Sequence, residues 1–336
     1  KTMQAEDEIA AAAIAIGAAF AGSLAVTGTS GPGLDLKSEA LGLAVSLELP
    51  MVIVDVQRGG PSTGLPTKTE QADLLLAMYG RHGECPIPIV AARSSSQCFD
   101  AAFEACRIAL KYRTPVLLLT DGYLANGAEP WLVPEIDDLP DISVEFATVN
   151  NHTNADGSTD YWPYVRDPET LARPWAIPGT PGMEHRVGGI EKQDGAGNIS
   201  YSPQNHETMV RLRAAKVAGI ANDIPDVAVD SVGGADVLVI GWGSTWASIN
   251  AGVNRCREAG HAVDFAHLTH LQPFPKNLGD VLKGYRKVLV PEMNLGQLSR
   301  LLRAEYLVDA QSYTQVNGLP FRAADMEARI MEELAR

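Results

Sequence analysis

Apolar residues occur in short runs along the first 120 residues, and polar or glycine-rich turns separate these runs. The runs at residues 24–27, 51–56, 88–92 and 115–120 are short and mostly aliphatic, which is typical of buried parallel strands. Between them the apolar residues recur at the spacing of amphipathic helices. This alternation predicts a parallel sheet with crossover helices.

The first predicted helix, at residues 4–21, is rich in alanine and apolar on nearly all sides, so we expect it to be buried. Its first turn is acidic, as expected where a helix dipole is positive, and contains Glu6, Asp7 and Glu8. Further helices are predicted at residues 34–47, 96–112, 207–220, 246–258, 278–285, 294–307 and 323–335.

A loop-rich stretch separates two α/β units. Residues 130–230 are rich in Pro, Gly, Asn and Asp, with short strand-like pieces such as residues 143–149. So long a stretch is either a wrapping arm or an interface element, and we call it the arm. A second α/β unit begins at residue 235 with a strand that enters the glycine turn at 241–244. The turn lacks the full spacing of a dinucleotide site, so we expect no cofactor there.

The composition is that of a packed globular protein, with 46% hydrophobic and 20% charged residues among 336. The length favours two domains, and the formal net charge of −14 argues against nucleic acid as a partner. No two of the four cysteines have the spacing of zinc or iron–sulfur ligands, so we predict reduced thiols and no metal site on this chain. The longest apolar run, residues 9–20, is too short to span a bilayer, and we predict a cytoplasmic protein that does not bind membranes.

The most informative stretch is the loop RGGPSTGLPTK at residues 58–68, which we call the RGG loop. It follows the predicted strand at 51–56, and residues 69–71 are predicted to open the next helix. Ligands of open α/β sheets bind at the carboxyl ends of strands, and the Arg58 guanidinium suits a carboxylate or phosphate. The alternative is an ordinary glycine-rich turn with a surface arginine, and spacing alone leaves both interpretations open.

The RGG loop, the QAEDE segment before the alanine-rich helix and the TSGPG turn together resemble the alpha subunit of the 2-oxoacid:ferredoxin oxidoreductases. The 2-oxoglutarate:ferredoxin oxidoreductase branch is the most similar. The resemblance extends over essentially the whole chain, and it includes the segments ANGAEPW, GMEHRVGGIEKQ and QVNGLPFRAADMEARI.

The resemblance implies a thiamine diphosphate-binding, pyrimidine-type parallel-sheet domain at residues 1–230, with the arm at about 130–230. It implies a transketolase C-terminal-like, flavodoxin-like α/β domain at residues 231–336. The implied reaction converts 2-oxoglutarate, coenzyme A and oxidised ferredoxin to succinyl-CoA, CO2 and reduced ferredoxin. A beta subunit is expected to share the thiamine diphosphate and to carry Mg²⁺ and an iron–sulfur cluster, in a heterotetramer.

The resemblance also assigns roles to individual residues. Glu6 corresponds to the catalytic glutamate that hydrogen-bonds the pyrimidine ring of the cofactor. Arg58 corresponds to the arginine that pairs with the substrate carboxylate, and Thr67 to a threonine of the same pocket. Thr29 and Ser30 are expected to line the cofactor crevice, although turn formation explains them equally well.

One departure from the family pattern concerns a YPITPSS-like segment that normally precedes the glutamate. It is not in this sequence, so we expect natural sequence ahead of Lys1, or a separate chain that supplies the segment. Two alternatives to the main hypothesis stay open. In the first, the chemistry is the same but the substrate is pyruvate or another 2-oxoacid. In the second, the chain is a truncated scaffold subunit without catalytic activity.

Overall fold

The computed structural model describes residues 1–336, and two five-stranded sheets form its framework. The strands are β1 (Ala25–Thr29), β2 (Met51–Gln57), β3 (Ile89–Ala91), β4 (Pro115–Asp121), β5 (His152–Thr153), β6 (Thr159–Asp160), β7 (Val229–Asp230), β8 (Val237–Trp242), β9 (Asp264–Leu268), β10 (His270–Gln272), β11 (Lys287–Glu292) and β12 (Ala310–Thr314). The helices are α1 (Glu8–Phe20), α2 (Gly31–Leu47), α3 (Leu74–Tyr79), α4 (Cys98–Tyr112), α5 (Gly122–Asn126), α6 (Pro203–Gly219), α7 (Trp246–Glu258), α8 (Leu278–Lys283), α9 (Gln297–Tyr306) and α10 (Ala323–Ala335).

The first sheet has the strand order β1-β2-β4-β3-β10. Its first four strands are parallel, and β10 runs antiparallel to β3. Strands β2 and β4 are buried on both faces, which explains their continuous aliphatic sequences. The predicted alternation of strands and helices is confirmed in this part of the chain.

The second sheet has the strand order β12-β11-β8-β9-β7, with β7 antiparallel to β9 and the other pairs parallel. Its four parallel strands are, in chain order, β8, β9, β11 and β12. Across the sheet they lie in the order second, first, third and fourth, which is the 2-1-3-4 arrangement of flavodoxin-like sheets. Strand β12 was not predicted from the sequence, because its burial alternates and only one of its five residues is fully buried.

The two sheets share one hydrophobic core. A cluster of 36 buried residues contains side chains from both, among them Ile53 of β2 and Ile240 of β8. Strand β10 belongs to the second half of the chain, yet it completes the edge of the first sheet. The predicted domain boundary near residue 231 stays a prediction, and two family models reported below meet the chain on either side of it.

The arm contains little regular structure besides α6. Before that helix, a two-stranded hairpin of β5 and β6 and a 3-10 turn at Ile136–Asp138 are its main elements. The strand-like interpretation of residues 143–149 is wrong, because no neighbouring strand pairs with this segment. No helix of the chain has both the length and the apolar character that crossing a bilayer requires.

A buried ion cluster anchors the arm to the first sheet. Glu48, which follows α2, accepts hydrogen bonds from Arg166 Nη1 at 2.6 Å and from Lys216 Nζ at 2.5 Å. Burial alone would raise the pKa of the Glu48 carboxyl, but Lys216 and Arg166 outweigh it and lower the pKa to about 2. One carboxylate therefore holds two separate parts of the arm.

We predict that Glu48→Gln lowers the free energy of unfolding by about 3–5 kcal/mol, because two buried cations lose their partner. The folded-state pKa lies below the unfolded value of 4.5, so this contribution is present above about pH 4.5 and is lost as the pH falls toward 2. Urea unfolding at pH 7 measures the change. Glu207→Gln, which breaks an exposed pair with Arg211, is the matched control and should cost less than about 1 kcal/mol. Equal effects of the two variants would contradict the prediction.

Candidate functional site

Four of the five predicted site residues, Thr29, Ser30, Arg58 and Thr67, lie in the two loops that leave the first sheet at the carboxyl ends of β1 and β2. Thr29 ends β1, and Ser30 precedes the first residue of α2 in an extended conformation. Pro32 in the first turn of α2 suits the conformation of a helix start. Both hydroxyls are partly exposed, and Ser30 makes no side-chain capping hydrogen bond to the helix. They remain available to a ligand at this edge.

Two glutamates stand at the start of α1, and the structure places them differently. Glu6 is exposed and precedes Asp7, which caps the helix by accepting a hydrogen bond from Ala10 N at 2.8 Å. Glu8, two residues later, packs against the first turn of α2. A Cβ atom on Gly33 would lie 2.8 Å from Glu8 Cγ and 3.1 Å from Glu8 Oε1. The structure therefore brings Glu8 to the β1–α2 turn, and leaves Glu6 in contact with solvent.

Gly33 is what permits this close packing. A Cβ atom there would lie only 2.0 Å from Thr29 Oγ1, in addition to its contacts with Glu8. Beneath this point the buried ammonium of Lys37 donates to Thr27 Oγ1 at 2.8 Å and to Gly28 O at 3.2 Å. Burial lowers the pKa of Lys37, and the nearby carboxylates of Glu8 and Asp55 oppose that shift.

Arg58 lies at the base of the RGG loop and has no anionic partner in the chain. Its Nε atom is buried and makes no hydrogen bond. The loop closes on itself through hydrogen bonds from Gly59 N to Lys68 O at 3.0 Å and from Leu65 N to Gly59 O at 2.8 Å. A buried guanidinium donor without an acceptor is costly, so the geometry favours an anion bound here.

Thr67 lies at the same end of the loop, next to Lys68. Its backbone is left-handed, with φ of 67°, and its side chain is exposed. Thr67 and Lys68 line a cavity of about 220 Å³, whose other walls include Gly122 of α5 and Gly318. The loop thus opens onto a small space at the strand ends.

Glu70 was missed as a site residue in the sequence. The sequence predicts that residues 69–71 begin a helix, but α3 begins at Leu74, and Gln71 in this segment instead binds the second sheet. The Glu70 carboxylate is buried beside the RGG loop, and its Oε2 accepts a hydrogen bond from Gly60 N at 3.4 Å. Burial raises the pKa of this carboxyl against the lowering effect of the Gly60 N–H. The sequence gives no sign that Glu70 is buried, because a glutamate in the first turn of a predicted helix is usually exposed to solvent.

Gln71 joins the end of the RGG loop to the second sheet. Its side chain donates to Trp242 O at 2.8 Å and accepts from Met293 N at 3.1 Å. Its backbone donates to Met293 O at 2.9 Å and accepts from Asn294 Nδ2 at 2.8 Å. The glycine turn after β8 is filled by this contact, since a Cβ on Gly243 would lie 2.7 Å from Gln71 Nε2. That turn is part of the contact between the two sheets, and Gln71 occupies the space before it.

The histidines and cysteines form no metal centre. No group of three or more His, Cys, Asp or Glu side chains is placed to hold a metal ion. Both ring nitrogens of His267 are buried next to the glycine turn, and burial with the nearby Arg93 charge lowers the pKa of the ring to about 3. It is neutral at physiological pH.

Two family models match the chain. The model of the thiamine diphosphate-binding domain of pyruvate flavodoxin/ferredoxin oxidoreductases matches residues 1–202. The model of pyruvate:ferredoxin oxidoreductase core domain II matches residues 235–325. Together they bear out the predicted fold class of a thiamine diphosphate-binding α/β domain followed by a second α/β domain.

Individual relatives are similar over most of the chain. The 2-oxoglutarate oxidoreductase subunit KorA of Mycobacterium tuberculosis is 56% identical over 99% of this chain and 50% of its own length. The 2-oxoglutarate synthase subunit KorA of Methanothermobacter marburgensis is 33% identical over 88% of this chain and 76% of its own length. The chain thus spans about half the length of the M. tuberculosis relative.

A solved structure is also similar. It is a 2-oxoglutarate:ferredoxin oxidoreductase from Magnetococcus marinus with 2-oxoglutarate, coenzyme A and succinyl-CoA bound. The TM-score is 0.89 at 39% sequence identity, and the match covers 99% of this chain and 57% of that one.

We predict that Gly33→Ala lowers the free energy of unfolding by about 1–3 kcal/mol, because the new methyl group overlaps Thr29 and Glu8. Alanine is otherwise the better helix former, so propensity alone predicts the opposite sign. Urea unfolding measures the change. Gly28→Ala, where no atom lies within 4 Å of the added Cβ, is the control and should be close to neutral. A neutral Gly33→Ala variant would contradict the packing described here.

Proposed function

This chain belongs to the family of pyruvate flavodoxin/ferredoxin oxidoreductases, and from that premise we propose that it is the alpha subunit of a thiamine diphosphate-dependent 2-oxoglutarate:ferredoxin oxidoreductase. The proposed reaction converts 2-oxoglutarate, coenzyme A and oxidised ferredoxin to succinyl-CoA, CO2 and reduced ferredoxin. The observation that carries the proposal is the unpaired Arg58 guanidinium in the RGG loop.

The start of α1 and the β1–α2 turn fit the pyrimidine end of thiamine diphosphate. The Glu8 carboxylate and the Thr29 hydroxyl meet there, because Gly33 has no side chain to keep them apart. When bound, thiamine diphosphate supplies a carbon nucleophile for decarboxylation of the 2-oxoacid. A carboxylate of this chain would accept a hydrogen bond from the ring and promote proton removal within the cofactor. Glu6 is the proposed residue, with Thr29 and Ser30 lining the crevice.

Arg58 is proposed to bind the carboxylate next to the keto group. Its planar guanidinium donates two parallel hydrogen bonds, which fix the carboxylate before it leaves as CO2. Thr67 contributes a hydroxyl at the same end of the RGG loop. Because the Arg58 Nε is buried and has no acceptor, binding a carboxylate satisfies a donor that the folded chain leaves unsatisfied.

The names of the relatives support 2-oxoglutarate as the substrate. Coenzyme A is supported by the ligands of the M. marinus structure. We propose a beta subunit that shares the thiamine diphosphate and carries Mg²⁺ and an iron–sulfur cluster, in a cytoplasmic heterotetramer that reduces ferredoxin. Pyruvate is the second candidate substrate, because both matching family models are described by pyruvate oxidoreductases.

We expect the assembled enzyme to have a higher kcat/KM for 2-oxoglutarate than for pyruvate, and Arg58→Ala to lower kcat/KM about 10- to 100-fold through loss of a charge-assisted anchor. Steady-state ferredoxin reduction with a panel of 2-oxoacids measures both. Arg58→Lys keeps the charge but loses the planar pair of donors, so its kcat/KM should lie between those of Arg58→Ala and the unmodified enzyme.

Three results would contradict this proposal. A preference for pyruvate would replace the substrate, and an unchanged kcat/KM in Arg58→Ala would remove the assigned role of the arginine. Absence of turnover with every 2-oxoacid in an intact complex would favour a scaffold subunit.

A matched pair of variants tests the acidic residue. We expect Glu6→Gln to lower kcat by about 10²–10⁴-fold, the range for lost acid–base catalysis, while thiamine diphosphate still binds. Glu8→Gln is the companion variant, because Glu8 is the carboxylate that packs on Thr29 and Gly33. If Glu8→Gln shows the large loss and Glu6→Gln does not, the catalytic role belongs to Glu8. Hydrogen–deuterium exchange at the cofactor C2 carbon provides the direct readout.

A further inference from the structure

Two carboxyl groups with buried oxygen atoms lie directly beneath the candidate site. Asp55 is near the end of β2 and is fully buried, and neither of its carboxyl oxygens receives a hydrogen bond from an N–H or hydroxyl group. Asp73 immediately precedes α3, and its Oδ2 atom is also buried without a donor. The two carboxyl groups lie within hydrogen-bonding distance of each other. Two carboxylates both carrying a negative charge would repel at such a contact.

The surrounding charges relieve this repulsion only in part. The charge of Lys37 favours the ionised form of Asp55, but its ammonium donates to Thr27 and Gly28 rather than to either aspartate. The other charged groups that face the pair are acidic, namely Asp35 of α2 and Glu70 of the segment after the RGG loop. A proton between the two carboxyl groups is the remaining way to make the contact favourable.

We propose that Asp55 and Asp73 share one proton, and that this acid pair is a positioning element that holds the β1–α2 turn against the end of the RGG loop. The contact is then one O–H donating to one carboxylate, with a single net negative charge. Aspartic acid pairs that share a proton are stable for the same reason, since two like charges at this distance cannot both persist.

The titration of the two groups agrees with this geometry. Burial, with the nearby charges of Asp73 and Asp35, raises the pKa of Asp55 well above its ordinary value. Burial raises the pKa of Asp73 to about 6, while its hydrogen bond with Asp55 opposes that shift. The unfolded chain loses these protons near pH 4, so the folded state loses stability as the pH rises from about 4 through the raised pKa values.

The pair connects both segments that carry the proposed site. Asp55 is the register partner of Thr29 across β1 and β2. A Cβ on Gly31, the first residue of α2, would lie 2.7 Å from both carboxyl oxygens of Asp73. The Asp73 backbone N–H in turn donates to Gln57 Oε1 at 3.2 Å. Loss of the shared proton would separate the first turn of α2 from the segment that ends the RGG loop.

The experiment compares the full chain, in the assembly in which it purifies, with Asp55→Asn and Asp73→Asn. An asparagine amide donates a permanent N–H to the remaining carboxylate, so the pair no longer needs a proton. We expect Asp55→Asn to melt roughly 2–4 °C above the unmodified protein at pH 8, with the difference vanishing near pH 4.5. Glu207→Gln, which removes an exposed carboxylate on α6 that acts on neither aspartate, is the control and should give no difference that changes between pH 4.5 and pH 8.

Infrared difference spectra detect the proton directly. The unmodified protein should show a carboxylic acid C=O stretch at pH 7 that disappears in Asp55→Asn. If Asp55→Asn does not fold, Asp73→Asn answers the same question, because its amide donates to the Asp55 carboxylate. Absence of the band at pH 7, or a melting difference that does not change with pH, would overturn the proposal.

A bound cation is the competing occupant of a carboxylate pair. Melting and infrared spectra recorded after chelation, and again with added Mg²⁺, Ca²⁺ or K⁺, distinguish it from a proton. A response to any of these cations that Asp55→Asn abolishes would also overturn the proposal.

The role of the pair in positioning rests on the proposed function, and its readout is the pH profile of kcat/KM for 2-oxoglutarate. This value should fall less steeply at alkaline pH in Asp55→Asn than in the unmodified enzyme. The melting and infrared results do not depend on that function.

Discussion

The arrangement of the candidate site depends on one residue, Gln71, which uses every polar group it has to bind the second sheet. Its side-chain amide and its backbone N–H and C=O reach Trp242, Met293 and Asn294, and the residue is fully buried. Leaving a buried amide group without its partner costs about 1–3 kcal/mol, so the end of the RGG loop cannot move alone. The segment that follows the RGG loop is therefore fixed by contacts that lie outside its own sheet.

The buried charges of this protein differ in how fully they are compensated. Glu48 is fully buried and paired with two cations, whereas Lys37 is fully buried with neutral acceptors and Asp55 with another carboxyl group. In the first arrangement one carboxylate binds both cations directly, so its removal would leave two buried cations without a partner. The other two lie beneath the loops that carry the proposed site, where burial leaves charge only partly compensated. Arg58, with its unpaired Nε, belongs to the same region.

Much of the fold could be predicted from the sequence, because long aliphatic strands and amphipathic helices carry strong local patterns. Strands β2 and β4 and helices α7 and α10 lie where the pattern placed them. Strand β10 could not be predicted from the sequence, because it has only three residues and pairs with β3, about 180 positions earlier in the chain. The two glutamates at the start of α1 illustrate another limit. A helix that is apolar on nearly all sides has no polar face to show its orientation, so the sequence does not indicate which carboxylate faces α2.

Strand β10 has a consequence for how this chain can be divided. It comes from the second half of the sequence but closes the edge of the first sheet beside β3. A fragment that ended near residue 231 would leave the backbone groups of β3 without their neighbour, and open sheet edges promote association between chains. The two halves are consequently not interchangeable modules. A chimera between family members would preserve the sheet only if its crossover kept β3 and β10 from the same parent.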